Sequence, residues 1–169
     1  IWIIKMTEQN LRAAFAGESQ AHMRYLIFSD KAEKDGKPNV ARLFRAISFA
    51  EQVHATNHFK TFGDLKDTSA NLQAAIDGET FEVDEMYPSY DAVAKLQGEK
   101  GAEQVIYGAV EAEKIHAKMY KKAKDAVEKG KDLTIGNVYI CEVCGYTVEG
   151  EAPDTCPTCK AKKDKFKKF

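Results

Sequence analysis

The chain has 169 residues, 44% of them hydrophobic and 30% charged, with a formal net charge of −1. That length holds one ordinary domain plus a small appendage, and the hydrophobic share is enough for one compact core. Acids and bases are interspersed, which argues against a nucleic-acid partner, and no apolar run reaches the length of a membrane span.

The opening Ile1-Trp2-Ile3-Ile4 is too short for the apolar core of a secretory signal, and it lacks a basic start and a small-residue cleavage site. The chain is therefore expected in the cytoplasm. Residues 7–130 read as helix throughout, being rich in Ala, Glu, Lys, Gln and Leu with Gly and Pro mostly at breaks. The first helix is expected to start at Thr7 as N-cap and to stop at Asp35-Gly36-Lys37-Pro38. The second runs from near Asn39 to Phe62 and ends at Gly63. Thr68 is expected to cap the third, which is bent or interrupted at Pro88 and ends near Gly98. The fourth runs from near Gly101 to Lys129, and Gly130 closes it.

Composition then changes. The stretch from Lys131 holds the strand-like Val138-Tyr139-Ile140, all four cysteines, two of the four prolines and a basic end. The expected division is a helical domain over residues 1–132 and a small domain over 133–169. The latter is too short to fold well on a hydrophobic core alone, so a metal is the expected staple. Its cysteines follow a C-x2-C, eleven residues, C-x2-C pattern: Cys141, Cys144, Cys156 and Cys159. A reducing cytosol disfavours disulfides. Each pair can instead wrap a turn whose N–H groups point at sulfur, and four thiolates form a tetrahedral site for zinc or iron. Zinc would be a staple only, whereas iron would add a one-electron carrier.

Written as core stripes of 3–4 spacing, the helices show an unusual interior. The first gives Leu11, Ala14, Glu18, Ala21, Tyr25 and Phe28; the second gives Val40, Phe44, Ile47, Glu51, His54 and His58. The third gives Leu72, Ala75, Glu79, Glu82 and Met86; the fourth gives Ile106, Ala109, Glu113, His116, Tyr120, Ala123 and Val127. Each stripe is apolar at its ends and acidic in the middle. A carboxylate facing a bundle core costs several kcal/mol unless paired, protonated or bound to a cation. Five at matching depth, with two imidazoles and no Lys or Arg in those layers, call for metal. Glu51-x-x-His54 and Glu113-x-x-His116 each set a carboxylate and an imidazole on one helical face, while Glu18 and Glu79 add one carboxylate from each remaining helix. This is the ligand arrangement of ferritin-like di-iron and di-manganese proteins. Its mixed oxygen and nitrogen donors suit iron or manganese, and zinc could also occupy it. His22 and Glu111 leave the stripes and read as surface residues. His58 reads as core or as a neighbour of the ligands, and Tyr25 and Tyr87 read as core or as hydrogen-bond partners of a ligand carboxylate.

Over nearly its whole length the sequence resembles rubrerythrin. The stretches that carry the resemblance are Phe15 to Tyr25, Ala50-Glu51-Gln52-Val53-His54, Gly78 to Pro88, Glu113-Lys114-Ile115-His116, and the rubredoxin-like cysteines. Glu82, one turn from Glu79, is the extra carboxylate that plain ferritin-like sites lack. The resemblance implies an all-α ferritin-like four-helix bundle with a C-terminal rubredoxin-like domain. It implies a peroxidase reducing hydrogen peroxide to water at two non-haem iron ions held by Glu18, Glu51, His54, Glu79, Glu82, Glu113 and His116. Electrons would pass through one iron on the four cysteines, from NAD(P)H through rubredoxin or a partner reductase. It also implies that His54 and Glu82 exchange as ligands between redox states. Three other readings use the same residues: a ferroxidase or iron-storage protein, a non-enzymatic zinc-ribbon interaction module, and a dioxygen-activating di-iron oxidase.

One length does not fit a bundle closed within a single chain. The ferritin-like arrangement runs the second and third helices parallel. The connection must then climb back roughly 25–30 Å, at ~1.5 Å per helical residue. Residues 63–67 cover at most ~20 Å at ~3.5 Å per residue. The expectation is a domain-swapped homodimer, each site taking Glu18, Glu51 and His54 from one chain and Glu79, Glu82, Glu113 and His116 from the other.

Overall fold

The computed structural model describes residues 5–169; the opening Ile1-Trp2-Ile3-Ile4 lies outside the described residues. The chain divides into two compact units, Ile1–Lys66 and Asp67–Phe169.

The first unit is a hairpin of α1 (Lys5–Lys34) and α2 (Pro38–Phe62). Lys5 and Met6, both good helix formers, are already helical, so Thr7 lies inside α1 and is not its N-cap. Pro38 opens α2 where a missing N–H costs nothing, and Gly63 closes it at φ 87°. The two helices meet through small residues: Ser29 and Ala32 on α1, and Ala41, Ser48 and Ala55 at seven-residue intervals on α2. The buried hydroxyls are satisfied across the interface. Ser29 Oγ donates to the Ala41 carbonyl at 3.0 Å, and Ser48 Oγ donates to the His22 carbonyl at 2.9 Å. His22, expected at the surface, is half-buried, with Nδ1 2.9 Å from the Ser48 carbonyl. At the open end Phe15, Phe59 and Phe62 pack together, and Arg12 lies 4.5 Å from the Phe62 ring centre. Arg12 also binds the Asp64 carboxylate, which pins the start of the segment leaving α2. The stripe of α2 that holds Glu51 and His54 lies beside the α1 contact, and Val40, Ile47 and His54 along it are half-exposed.

The second unit begins with α3 (Thr68–Phe81), a π-helical turn (Glu82–Met86), α4 (Tyr87–Gln97) and α5 (Lys100–Val127). Asp67, not Thr68, caps α3: its carboxylate accepts from the Ala70 N–H at 2.9 Å. The interruption expected at Pro88 is the π turn just before it, where the Tyr87 N–H bonds to the Glu82 carbonyl. Pro88 offers no N–H to the carbonyl four residues back, and the helical ladder widens by one residue ahead of it. Both α3 and α4 pack on α5, with Ala94, Gly108 and Ala112 buried.

Three short antiparallel strands follow: β1 (Val138–Cys141), β2 (Thr147–Glu149) and β3 (Phe166–Lys168), in the order β2-β1-β3. Ile140 pairs with Thr147, and Cys141 with Phe166. This sheet lies close against α5. A Cβ on Gly108 would sit 3.1 Å from the Cys144 Cβ, so any larger residue would push the cysteine turn back from the helix by a few tenths of an ångström. Gly145, at φ 78°, faces Ala112 from the other side of the contact.

Candidate metal centres

Three clusters among the described residues bring ligand atoms within 4.8 Å of one another: Glu18, Glu51 and His54; Glu79, Glu113 and His116; and the four cysteines. The first belongs to the α1–α2 hairpin. His54 Nδ1 lies 3.0 Å from a Glu51 carboxylate oxygen and 4.0 Å from Glu18. The i, i+3 spacing sets Glu51 and His54 on one face, and α1 brings Glu18 to the same depth.

The second cluster repeats the first on α3 and α5. His116 Nδ1 lies 2.6 Å from Glu113 and 3.9 Å from Glu79. Here the acids crowd one another. Burial, a hydrogen bond with Glu113 and the charges of Glu113 and Glu82 push the Glu79 carboxyl up to about 7. Glu82, at the first position of the π turn, is also raised, by burial and the Glu113 charge, with His116 opposing. Tyr87 is raised by burial and then by the charges of Glu82, Glu113 and Glu79, which sets its phenol beside the same carboxylates. A carboxyl that holds its proton near neutrality because it is buried among other carboxylates marks a place where positive charge fits. Tyr25 packs its ring against Phe28 and Phe44 in the first unit. His58 is half-buried, and Glu111 pairs with Lys114.

The four cysteines are free thiols. Cys141 lies 3.6 Å from Cys159, and Cys144 lies 3.6 Å from Cys156, sulfur to sulfur. Four ligands at the ~2.3 Å metal–sulfur distance span about 3.8 Å along each tetrahedral edge, so the cluster has the size of a metal site. Burial raises the Cys144 and Cys159 thiols. For Cys156, burial is outweighed by the N–H groups of Cys159 and Thr158, which lower it. These are the sulfur-directed turn amides that the C-x2-C spacing predicts.

The rubrerythrin family profile matches residues 9–124, and the profile of the rubrerythrin rubredoxin-like domain matches residues 139–167. The chain belongs to the rubrerythrin family. Rubrerythrin-2 of Clostridium acetobutylicum is 48% identical, covering 97% of each chain. The rubrerythrin of Nitratidesulfovibrio vulgaris is 35% identical over 95% of this chain and 92% of its own. Among solved structures, nigerythrin in its mixed-valence state matches with a TM-score of 0.56 and 29% identity, covering 99% of this chain and 88% of that one. As in that fold, the chain is mostly helical with a small four-cysteine strand region. As in rubrerythrins, it carries the Glu and His ligands of a di-iron centre and a rubredoxin-like cysteine site. Rubrerythrins are peroxidase-type oxidoreductases. Among the described residues, no helix is long and apolar enough to cross a membrane.

One polar neighbour of these clusters goes unnoticed in the sequence. Thr147 on β2, only 3% exposed, has its Oγ 2.8 Å from His116 Nε2. No periodicity or motif links a strand residue to a helix 31 positions earlier.

Proposed function

We propose that this rubrerythrin is a non-haem di-iron peroxidase that reduces hydrogen peroxide to water, with electrons arriving through the cysteine site from NAD(P)H by way of rubredoxin or a reductase. The observation that supports it best is the pair of matching Glu–Glu–His triads together with a four-thiol cluster. In this reading Glu18, Glu51, His54, Glu79, Glu82, Glu113 and His116 hold two iron ions, and Cys141, Cys144, Cys156 and Cys159 hold one. Residues 1–132 form the di-iron domain and 133–169 the rubredoxin-like domain, working in the cytoplasm. Bound iron would supply the electrons and the Lewis acidity for splitting the O–O bond. The chain's residues supply the rest. In the metal-free cluster Glu79 keeps its proton up to about pH 7, so a metal binding there would take the place of that proton. Tyr87 stands beside the same carboxylates and can donate to one of them, and Tyr25 packs on Phe28 and Phe44 in the α1–α2 hairpin. His54 and Glu82 serve as alternative ligands for one position, the anionic carboxylate being favoured when the charge to be balanced is higher. Stopped-flow mixing of anaerobically reduced, iron-loaded protein with one equivalent of hydrogen peroxide tests this. Fast oxidation followed by ferric-thiolate colour is expected; no fast reaction at confirmed iron occupancy refutes it.

We further propose that each di-iron site is shared between two chains by a domain swap. From His54 to Phe62 and from Thr68 to Glu79, α2 and α3 span about 28 Å at ~1.5 Å per residue. Residues 63–67 are all that could retrace it, and Asp64 is held by Arg12. Co-expression of a Glu51→Ala chain with a Glu113→Ala chain distinguishes the arrangements. In a swapped heterodimer one site collects both lesions and the other none, restoring about one site in four across the mixture. If every site is built from one chain, no activity returns.

A further inference from the structure

Thr147 is placed by two contacts that bring β2 onto α5: the Cys144 turn against Gly108, and Gly145 against Ala112. On the same strand, Glu149 binds Lys122 at 2.9 Å, so alternate β2 side chains engage α5. The Thr147 hydroxyl thus meets His116 at a depth fixed by packing. Its own hydrogen is committed, because Oγ donates to the Gly145 carbonyl at 2.9 Å. What it offers His116 is therefore a lone pair. A ring nitrogen 2.8 Å away must arrive carrying a hydrogen, so Nε2 is the protonated nitrogen and donates. The other nitrogen, Nδ1, shares a proton with Glu113 at 2.6 Å and lies 3.9 Å from Glu79, and a metal bound there would replace that proton and take the Nδ1 lone pair.

We infer that Thr147 is a positioning residue of the di-iron centre: it fixes His116 in the tautomer whose Nδ1 lone pair points at the carboxylate cluster, and it makes that ligand depend on a residue of the cysteine domain. The inference rests on the metal-centre reading above. A ligating imidazole needs its second nitrogen held by an acceptor, or ring orientation and basicity are lost. Here the acceptor lies three residues past Cys144, in a turn whose carbonyl at Gly145 directs the hydroxyl. Folding of the cysteine knuckle and readiness of His116 are thereby joined through one hydroxyl group.

The test uses the full chain with the cysteine site filled with iron, titrated with Zn(II) against a competing chelator. Thr147→Val keeps the shape and removes the acceptor; Thr147→Ser keeps the acceptor. Thr147→Val is expected to weaken Zn(II) binding at the Glu/His cluster by about 10–100-fold, and Thr147→Ser to restore most of it. In 15N-histidine spectra of the Zn(II)-loaded wild type, His116 should show metal on Nδ1 and hydrogen on Nε2. Equal affinity in Thr147→Val, failure of Thr147→Ser to restore it, metal on Nε2, or loss of the ferric-thiolate spectrum in Thr147→Val would each overturn the inference. A wild type that binds no Zn(II) at the cluster refutes the metal-centre reading itself, and the inference with it.

Discussion

Removing the metal should make the second unit sensitive to pH, through Glu79. In the metal-free protein this carboxyl rises from 4.5 to about 7, chiefly through burial and the neighbouring Glu113. Its side chain is only 18% exposed, so solvent screens it little. At 1.36 kcal/mol per pH unit the rise corresponds to about 3 kcal/mol. Above pH 4.5 an unfolded chain releases this proton, while the folded metal-free protein keeps it until about pH 7. The Glu79 contribution to stability is then greatest below pH 4.5, falls as pH rises through this window, and levels off above about 7. Glu79→Gln isolates the effect, because its amide donates to Glu113 at every pH as the protonated acid does only when acidic. Urea denaturation of chelator-treated wild type and variant, at pH 5 and pH 8, reads the difference. The variant should match the wild type near pH 5 and exceed it by about 2–3 kcal/mol at pH 8. A gap that does not change between the two pH values would refute the electrostatic account of this cluster.

Gly108→Val places a branched side chain where a Cβ alone would come 3.1 Å from the Cys144 Cβ, and should cost about 1–3 kcal/mol in urea denaturation while perturbing the ferric-thiolate absorption. An unshifted midpoint with an unchanged spectrum would count against that packing. Asp67→Ala removes the hydrogen bond that caps α3 and should cost about 1 kcal/mol, seen as a lower Tm, whereas Thr68→Ala should cost much less. Stripping the cysteine site should abolish amide protection in β1, β2 and β3 while leaving the α1–α2 hairpin protected by hydrogen exchange. Persistent protection in the strands would show that the sheet stands without metal.

The parts legible in the sequence are those whose physics is local. Gly63 ends α2 because a left-handed residue closes a helix, and the C-x2-C pairs announce turns with amides aimed at sulfur. Glu51-x-x-His54 and Glu113-x-x-His116 needed only helical periodicity to place carboxylate beside imidazole. The misread parts depend on competition or on distance. Asp67 and Thr68 are adjacent N-cap residues, and backbone geometry chose Asp67. Pro88 signals a broken ladder but not whether the break is a kink or a π turn ahead of it. His22 leaves the ligand stripe, yet Ser48 reaches it across the α1–α2 contact. Thr147 becomes visible only once β2 lies on α5.

The interior of the cysteine domain bears on how the protein is made. Its most buried side chains include two of its four cysteines, Cys141 and Cys156, joined by Thr147 and Ala152. Its other apolar side chains, such as Ile140, Tyr146 and Phe166, are only half-buried, so this region should take shape at the pace at which metal is delivered. Iron supply to the cell thereby becomes a step in biosynthesis. Chains made during scarcity would accumulate with a finished α1–α2 hairpin and an unfinished C-terminal end, open to proteolysis until the ion arrives.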